Sequence, residues 1–205
     1  MSTLRLAVPP GRAGRLWLVQ RLAVARRAAD LLDRKLRVLT AELDRARATA
    51  GRTSQEWDTA CREAQQALLR AVLLGGERAI RLAGGADAQV TISYTMTMGA
   101  RHPAGARYTA AGPAGWDGAA VAAARQAHRA ALAAAVRHAA AAAALAVIEA
   151  ETNATRRRLR AVRDRWIPGL SQALAHVEFA LEETERDDAA RLRIVRRGPG
   201  RGGAR

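Results

Sequence analysis

The longest regularity in the chain is a set of apolar positions whose spacing alternates between four and three residues. It begins at Leu18 and continues to Leu74, and Thr53 is its one polar member. A repeat averaging 3.5 residues keeps one narrow stripe of a helix facing a partner helix over many turns. The pattern therefore predicts that residues 12–74 form a coiled-coil helix, roughly 95 Å long at about 1.5 Å per residue. The main seam positions are Leu18, Leu22, Ala25, Ala29, Leu32, Leu36, Leu39, Leu43 and Trp57.

A second helical stretch is predicted over residues 119–197, which are rich in alanine at first and more varied later. Its seam consists of Leu159, Val162, Trp166, Leu170, Leu174, Val177 and Leu181. Because these positions include two eleven-residue steps, the supercoil should relax there, and Pro168 should kink or loosen the helix. Two helices of similar length, joined by a short non-helical section, favour an antiparallel pair with both chain ends together.

The middle section, residues 75–118, changes period from 3.5 to 2. Glycine pairs at 75–76 and 84–85 predict a bend and a short helix between them, over 77–83. The apolar residues Val90, Ile92, Tyr94, Met96 and Met98 then alternate with threonine and serine. This alternation predicts a strand that pairs with residues near 107–109 across a loop at 99–105. An isolated hairpin is marginally stable, so it should rest on another element.

Together these patterns predict an all-α fold: a long antiparallel two-helix coiled coil with a short helix and a small β-hairpin at the tip distal to the termini. Residues 1–11 form an N-terminal extension whose prolines fix the entry into the first helix. Residues 198–205 are rich in Gly, Pro and Arg, and we expect them to be disordered. Trp57 and Trp166 fall on the seams and should be core, whereas Trp17 and Trp116 lie off them and are candidates for partner contact.

The composition adds a large positive charge. The formal net charge is +15, and all basic residues except Lys35 are arginine. Nucleic acid, an anionic membrane surface and an acidic protein are all compatible with this charge. A basic helix leading into heptads is similar to a basic leucine zipper, but here the heptads begin at Leu18, inside the basic stretch. Aromatic residues are only 3% of the chain, which leaves little for stacking on single strands. We therefore expect no specific nucleic-acid binding.

Motifs for catalysis, metal or cofactor binding are not apparent in the sequence. The only lysine, Lys35, follows no glycine-rich phosphate loop, and the four histidines show no metal-ligand spacing with each other or with Cys61. An acidic block at 182–188 is typical of a solvated helix face with ion pairs. We expect no apolar run of the length needed to cross a bilayer, and residues 1–14 lack a signal-peptide core, so a soluble protein without cofactor is expected.

Four groups of residues resemble the D subunit of the V-type and archaeal or bacterial A-type rotary ATPases. The family motif T-x-R-R-[VL]-x-A-L is similar to residues 155–162, I-P-x-L to residues 167–170, L-x-E-x-E-R-E to residues 181–187, and R-L-K to residues 191–193. The first helix carries Pro10, Leu22, Ala25, Leu31, Leu32 and Lys35 where the family has its proline start and its L-x-x-A…L-L-x-x-K run. The order of elements agrees over nearly the whole chain, although Gly11 stands where the family has threonine.

The resemblance implies a non-catalytic central-stalk rotor shaft that transmits torque between the catalytic A/B hexamer and the membrane ring. It implies as partners the catalytic A and B subunits, the F subunit on the side of the coil, and a membrane-side cap subunit of the C/d type. The location implied is cytoplasmic and peripheral to the inner membrane, without insertion. The hexamer-facing end would carry Arg12, Arg15, Arg191, Arg193 and Arg196, and the apolar hairpin residues from Val90 to Met98 would contact a partner.

Two alternatives differ from this interpretation. An independent basic coiled-coil scaffold, or a nucleic-acid-binding protein, would form a homo-oligomer with salt-dependent affinity for DNA. The gamma shaft of F-type enzymes carries a large α/β domain between its helices, and about forty glycine-rich residues leave no room for one here.

Overall fold

The computed structural model describes residues 7–82, 88–110 and 118–197. The elements are α1 (Gly11–Leu82), β1 (Gln89–Thr97), β2 (Ala100–Thr109), α2 (Ala119–Ala161), a π-helical segment (Val162–Trp166) and α3 (Ile167–Arg197). The predicted all-α class, a helical coiled coil with one small hairpin, is confirmed. The predictions made for Gly84-Gly85, for Trp116 and for the tail 198–205 concern residues outside the described ranges.

The start of α1 depends on two glycines. Gly11 opens the helix with φ +70°, a value that L side chains rarely adopt. Gly14 is buried, and a Cβ built on it would lie 2.0 Å from the carbonyl oxygen of Pro9. The segment before the helix therefore folds back onto the first turn, where only a residue without a side chain fits.

Near its C-terminal end α1 is interrupted at one residue. Gly76 has φ 72° and ψ 164°, and the helix continues beyond it to Leu82. Glycine reaches positive φ at no steric cost, so the bend falls within the predicted Gly75-Gly76 pair. Gly75 itself lies close to the neighbouring helix, since a Cβ on it would be 3.9 Å from the Val121 side chain.

The described chain divides into two compact units. We call residues 1–34 with 156–205 the terminal unit, and residues 35–155 the central unit. Each unit contains part of α1 and the antiparallel helix that packs on it.

The terminal unit has a leucine core. Leu18, Leu22 and Leu170 are buried in one cluster, and Ala25, Leu174 and Val177 pack against it. These are predicted seam positions from both helices, so the two stripes do face each other. Fully burying a leucine side chain contributes roughly 1.5–3 kcal/mol, which makes this cluster the main source of stability in the unit.

Ion pairs along the terminal unit establish the antiparallel direction. Arg12 pairs with Glu185 at 3.0 Å, Arg15 with Glu178 at 2.9 Å, and Asp33 with Arg163 at 3.3 Å. As the residue number rises on α1, that of the partner falls. Exposed pairs of this kind contribute about 0–1 kcal/mol each, so they align the helices more than they stabilise them.

The central unit is packed mainly with small residues. Buried alanines line both helices, at Ala50, Ala64 and Ala71 of α1 and at Ala124, Ala131, Ala134 and Ala140 of α2. Larger buried side chains, Leu39, Leu43 and Ile148, lie nearer the Lys35 end of the unit. Alanine methyl groups bury little area, but they let two helix backbones approach closely.

Polar contacts fix the register of the central unit. Lys35 Nζ lies 2.6 Å from Glu151 Oε1, and both side chains are only about a quarter exposed (26% and 25%). Further along, Arg47 pairs with Glu149 at 3.2 Å. Thr53, the one polar seam position on α1, is buried, donates to the Thr49 carbonyl at 2.9 Å and lies 3.3 Å from His138 Nδ1. The hydroxyl of Thr53, the one polar residue predicted on the first seam, therefore has hydrogen-bond partners.

The hairpin differs from the predicted one in its turn. Thr97 pairs with Ala100, so the turn consists of Met98 and Gly99 alone, with φ 50° and 86°. The prediction of a loop over 99–105 was wrong, because positive φ at both central residues closes a two-residue hairpin turn. Pro103, which lacks an N–H, enters β2 beside an irregularity in the register between Ser93 and Tyr94.

The disturbance expected near Pro168 takes the form of a π-helical segment, Val162–Trp166. The N–H of Ile167 bonds to the carbonyl of Val162, five residues earlier. Because proline has no N–H, the carbonyl four residues before Pro168 has no ordinary helical donor, and the wider π turn is formed just ahead of it.

The expectation that no apolar run is long enough to cross a bilayer was wrong by length and composition. Within the helical stretch Ala119–Arg196, a window of eighteen residues reaches a mean hydropathy of 1.8, which is enough to cross a bilayer by length and composition. Its apolar character comes largely from alanine, and several side chains of this stretch, among them Ala134 and Ile148, are buried in the central unit.

Candidate functional site

The described chain presents surfaces rather than an enclosed pocket as its candidate functional sites. Among residues 7–82, 88–110 and 118–197, no group of three or more His, Cys, Asp or Glu side chains is placed to hold a metal ion. Two of the histidines have local partners: His102 bonds to Thr97, and His128 donates to the Ala124 carbonyl at 2.8 Å. Cys61 is a free, half-buried thiol.

The hairpin has one hydroxyl-bearing face and one apolar face. The first carries Thr95 and Thr97, which pair with His102 and Ala100, and both of these β2 residues are buried. His102 Nδ1 lies 3.1 Å from the Pro103 carbonyl, which can only accept, so Nδ1 donates to it, and Nε2 lies 3.0 Å from the Thr97 hydroxyl. The hydroxyl-bearing face is therefore the one turned toward protein.

A half-open cleft of about 430 Å³ lies between the hairpin and the helices of the central unit. Thr95, His102 and Gly105 of the hairpin line it, together with Thr49, Thr53 and Ala46 of α1 and Ala140, Ala144 and Ile148 of α2. The hairpin thus rests on the helix pair through small and hydroxyl-bearing side chains, as an isolated hairpin must rest on something.

The apolar face of the hairpin points to solvent. The side chains of Val90, Ile92, Tyr94 and Met96 are 45–67% exposed, and the guanidinium of Arg101 lies 4.4 Å from the centre of the Tyr94 ring. Sheets normally bury the apolar face and expose the polar one. The other face of the hairpin is covered at Thr97, Ala100 and His102, so a row of exposed apolar side chains opposite them is typical of an interaction surface. The predicted partner role of these residues and of the exposed turn residue Met98 stays a prediction.

The predicted hexamer-facing arginines lie in the terminal unit and are exposed. Three of them are already engaged within the chain: Arg12 with Glu185, Arg15 with Glu178, and Arg191 with Asp188 at 3.7 Å. Their contact with a partner protein also stays a prediction. The acidic block at 182–188 thus provides partners for the arginines of the same unit, as expected of a solvated face.

The two seam tryptophans are not core residues. Trp57 is 37% exposed and stacks on His138 with ring centroids 5.5 Å apart, and Trp166 is 42% exposed. In the close-packed central unit there is no room for an indole between the backbones, so Trp57 covers the side of the seam. Trp166 closes the π-helical segment, whose extra residue per turn rotates it away from the seam. Trp17, predicted to lie off the seam, packs against the leucine core and is covered by Arg21 at 4.9 Å.

The second seam continues toward its N-terminal side through residues that the apolar spacing did not predict. Thr152 and Thr155 of α2 are almost completely buried, and with Ile148 and Leu159 they follow a spacing of four, three and four residues. Thr152 Oγ1 donates to the Ile148 carbonyl at 2.7 Å. A search that accepted threonine as a seam residue, as at Thr53, would have found them.

The fold defines a paired-helix protein with a small hairpin that exposes an apolar face. Comparison with known proteins points to one family. A family model for the ATP synthase D subunit matches residues 16–197. The chain is 32% identical over 201 residues to the V-type ATP synthase D subunit of Anaeromyxobacter sp. (strain Fw109-5), covering 92% of each chain. It is 32% identical over 196 residues to the D subunit of the V-type ATP synthase in Anaeromyxobacter dehalogenans (strain 2CP-C), covering 90% of this chain and 93% of that one. The chain belongs to the D-subunit family of ATP synthases.

Proposed function

We propose that this chain is the central-stalk rotor shaft of a V/A-type, proton- or sodium-translocating ATPase, which transmits torque between the catalytic A/B hexamer and the membrane ring. The observation that carries the proposal is the packing of two antiparallel helices along a seam in both units. In this role the chain is non-catalytic, and it lies in the cytoplasm, peripheral to the inner membrane, as part of the membrane-bound complex.

A shaft must resist both sliding and separation of its helices. If one helix slid along the other by one turn, about 5.4 Å, each seam side chain would leave the space that it fills between side chains of the facing helix. In the terminal unit this sliding would expose the cluster of Leu18, Leu22 and Leu170. In the central unit it would separate Lys35 from Glu151, whose side chains are about three-quarters buried. Register slip therefore costs free energy in each unit, so each unit holds its two helices in place against an applied twist.

The surfaces suit the partners that such a shaft requires. The exposed ends of the terminal unit, with Arg12, Arg15, Arg191, Arg193 and Arg196, would enter the pore of the A/B hexamer. The F subunit would pack on the side of the coil. The apolar hairpin face from Val90 to Met96 would contact a neighbouring protein of the stalk, with the C/d-type cap as the partner on the membrane side.

The test is rotation. The chain has a single cysteine, so a Cys61→Ser background with Met96→Cys gives one exposed attachment point for a bead on the hairpin. With the A/B hexamer fixed to a surface and the F subunit present, we expect the bead to turn in one direction when ATP is supplied. As the control, a bead attached to one of the A subunits in the same complex should not turn.

Assembly gives the second readout. Co-expression with the A, B and F subunits should yield one complex whose ATPase activity changes when this chain is omitted. A chain that never copurifies with A and B, and that leaves their turnover unchanged, would rule out the rotor role. A homo-oligomer with steeply salt-dependent DNA affinity would instead support the independent scaffold.

A further inference from the structure

The positive charge of the terminal unit is concentrated away from the chain ends. Within residues 26–34 and 156–165, which the structure describes, six exposed arginines have no ion-pair partner; nearer the chain end, Arg193 and Arg196 have none either. We call this set the arginine collar: Arg26, Arg27 and Arg34 of α1, Arg157 and Arg160 of α2, and Arg165 of the π-helical segment. The ion pair between Asp33 and Arg163, at 3.3 Å, brings the two segments of the collar to the same level of the helix pair.

The two ends of the terminal unit differ in their charge balance. Residues 11–15 and 178–197 contain seven arginines and six acidic residues, a net charge of +1. Residues 26–34 and 156–165 contain nine arginines and three aspartates, a net charge of +6. Three of the five arginines predicted for the hexamer-facing end, Arg12, Arg15 and Arg191, are paired with acids of the same chain, whereas none of the collar arginines is. An acidic partner would therefore be attracted more strongly to the collar than to residues 11–15 and 178–197.

Apolar side chains at the same level favour a protein partner. Val24, Leu31 and Trp166 are exposed among the collar arginines. A phosphate backbone offers nothing to the two aliphatic side chains, and one tryptophan is a poor platform for stacked bases. An acidic helix or loop with some apolar residues would satisfy both the charge and the apolar side chains.

We propose that the arginine collar is the contact site for carboxylate-rich segments of the proteins that surround the shaft, and that the arginines at the chain ends contribute little to this attraction. The inference rests on the proposed rotor function and adds the position and chemistry of one contact. Exposed arginines attract carboxylates over roughly a Debye length, about 8 Å at physiological salt, and no single pair is strong. Such contacts exchange as the shaft turns without fixing one angle.

The test compares two triple substitutions that remove the same charge from the same helical arm. The collar variant is Arg157→Gln, Arg160→Gln and Arg165→Gln, and the matched variant is Arg191→Gln, Arg193→Gln and Arg196→Gln. All six positions are exposed and helical, and glutamine has a helix propensity close to that of arginine. The measurement is the Kd of the full chain for the assembled A/B hexamer at low and at high salt.

We expect the collar variant to bind about tenfold more weakly at low salt, and the matched variant less than about threefold more weakly. The difference should shrink toward about 1 M salt, where screening is strong. Replacing the same three collar arginines by lysine should restore most of the affinity, because the charge is kept. Circular dichroism and sedimentation confirm that each variant remains a folded helical chain.

Equal losses in the two triple variants, or wild-type affinity in the collar variant, would overturn the collar assignment while leaving the rotor role intact. A collar variant that loses affinity for a DNA duplex but keeps its affinity for the hexamer would make the collar a polyanion site, and would also overturn the proposal. If the unmodified chain does not bind the hexamer at all, the rotor function itself fails.

Discussion

The terminal and central units use the same antiparallel arrangement with different side chains at the seam. The terminal unit buries Leu18, Leu22 and Leu170 in one cluster, whereas much of the central unit buries alanines such as Ala64, Ala71 and Ala124. Leucine burial contributes far more free energy per position, while alanine permits a closer approach of the two backbones. The central unit also buries Leu39, Leu43 and Ile148 near Lys35, so the comparison separates a leucine-packed seam from the alanine-packed stretch beyond it.

The largest effect should come from the leucine core. Leu18→Ala removes a completely buried side chain from the cluster with Leu170, and we expect a loss of about 3–5 kcal/mol in the free energy of unfolding. Leu16→Ala, two residues earlier on an exposed position, should change it by less than about 0.5 kcal/mol. Urea unfolding followed by circular dichroism gives both values. Equal small losses would mean that the cluster does not support the unit.

In the central unit the damaging change is enlargement. Ala64→Leu places a bulky side chain where the helices are close-packed, and we expect a loss of about 1–3 kcal/mol. Ala48→Leu, on the exposed side of α1, should be close to neutral. Hydrogen exchange by mass spectrometry would show whether the lost protection is confined to residues 35–155. A neutral Ala64→Leu would contradict the close-packed seam.

The Lys35–Glu151 pair should contribute more than the ion pairs at the chain ends. Lys35→Met leaves a carboxylate three-quarters buried without its 2.6 Å partner, and we expect a loss of about 1–2 kcal/mol. Arg12→Met breaks a pair of similar length between largely exposed side chains and should cost less than about 0.5 kcal/mol. Chemical denaturation at two salt concentrations separates them, because only the exposed pair should be strongly screened. A loss for Arg12→Met as large as that for Lys35→Met would contradict this ranking.

The smallest effects should come from two glycines and should differ in sign. Gly51 lies in an open helical position with nothing within 4 Å, so Gly51→Ala should stabilise the protein by about 0.5–1 kcal/mol. Gly14→Ala should destabilise it by about 1 kcal/mol, because its Cβ would meet the Pro9 carbonyl. Thermal melts of both variants against wild type suffice. A stabilising Gly14→Ala would show that the first turn can shift at no cost.

Spacing alone predicted the seams where the side chains are aliphatic. Leu18, Leu39, Leu159 and Leu170 are all buried, because a 3.5-residue repeat leaves them no other orientation in a paired helix. The same rule failed for Trp57, since periodicity describes direction but not the volume between the backbones. It failed for Trp166 because the π-helical segment depends on a hydrogen bond that Pro168 cannot donate, and the repeat does not record it.

The hairpin shows a second limit of the pattern. Alternation correctly marked the apolar and hydroxyl-bearing faces of β1, but it could not say which face meets the helices. The usual rule buries the apolar face, whereas here Ala100 and His102 on the other face are the buried residues. The turn was misplaced because Met98 is not a residue from which positive φ is expected. The net charge predicted that arginines contribute to the interaction surfaces. Only the structure showed which of these arginines form ion pairs within the chain.

Val90, Ile92, Tyr94 and Met96 of β1 are exposed, so selection on them should differ from selection on residues of the same strand that support the fold. We expect a change at these four exposed positions to alter the fold little, so selection on them would act through the predicted partner contact. Of the residues that alternate with them, Thr97 is half-buried and Thr95 lines the cleft against the helices, so folding constrains these two. Across related organisms, the even-numbered apolar positions of β1 should therefore evolve at a different rate from Thr95 and Thr97. We expect the apolar residues to covary with the predicted partner, and the two threonines with the helices of the same chain.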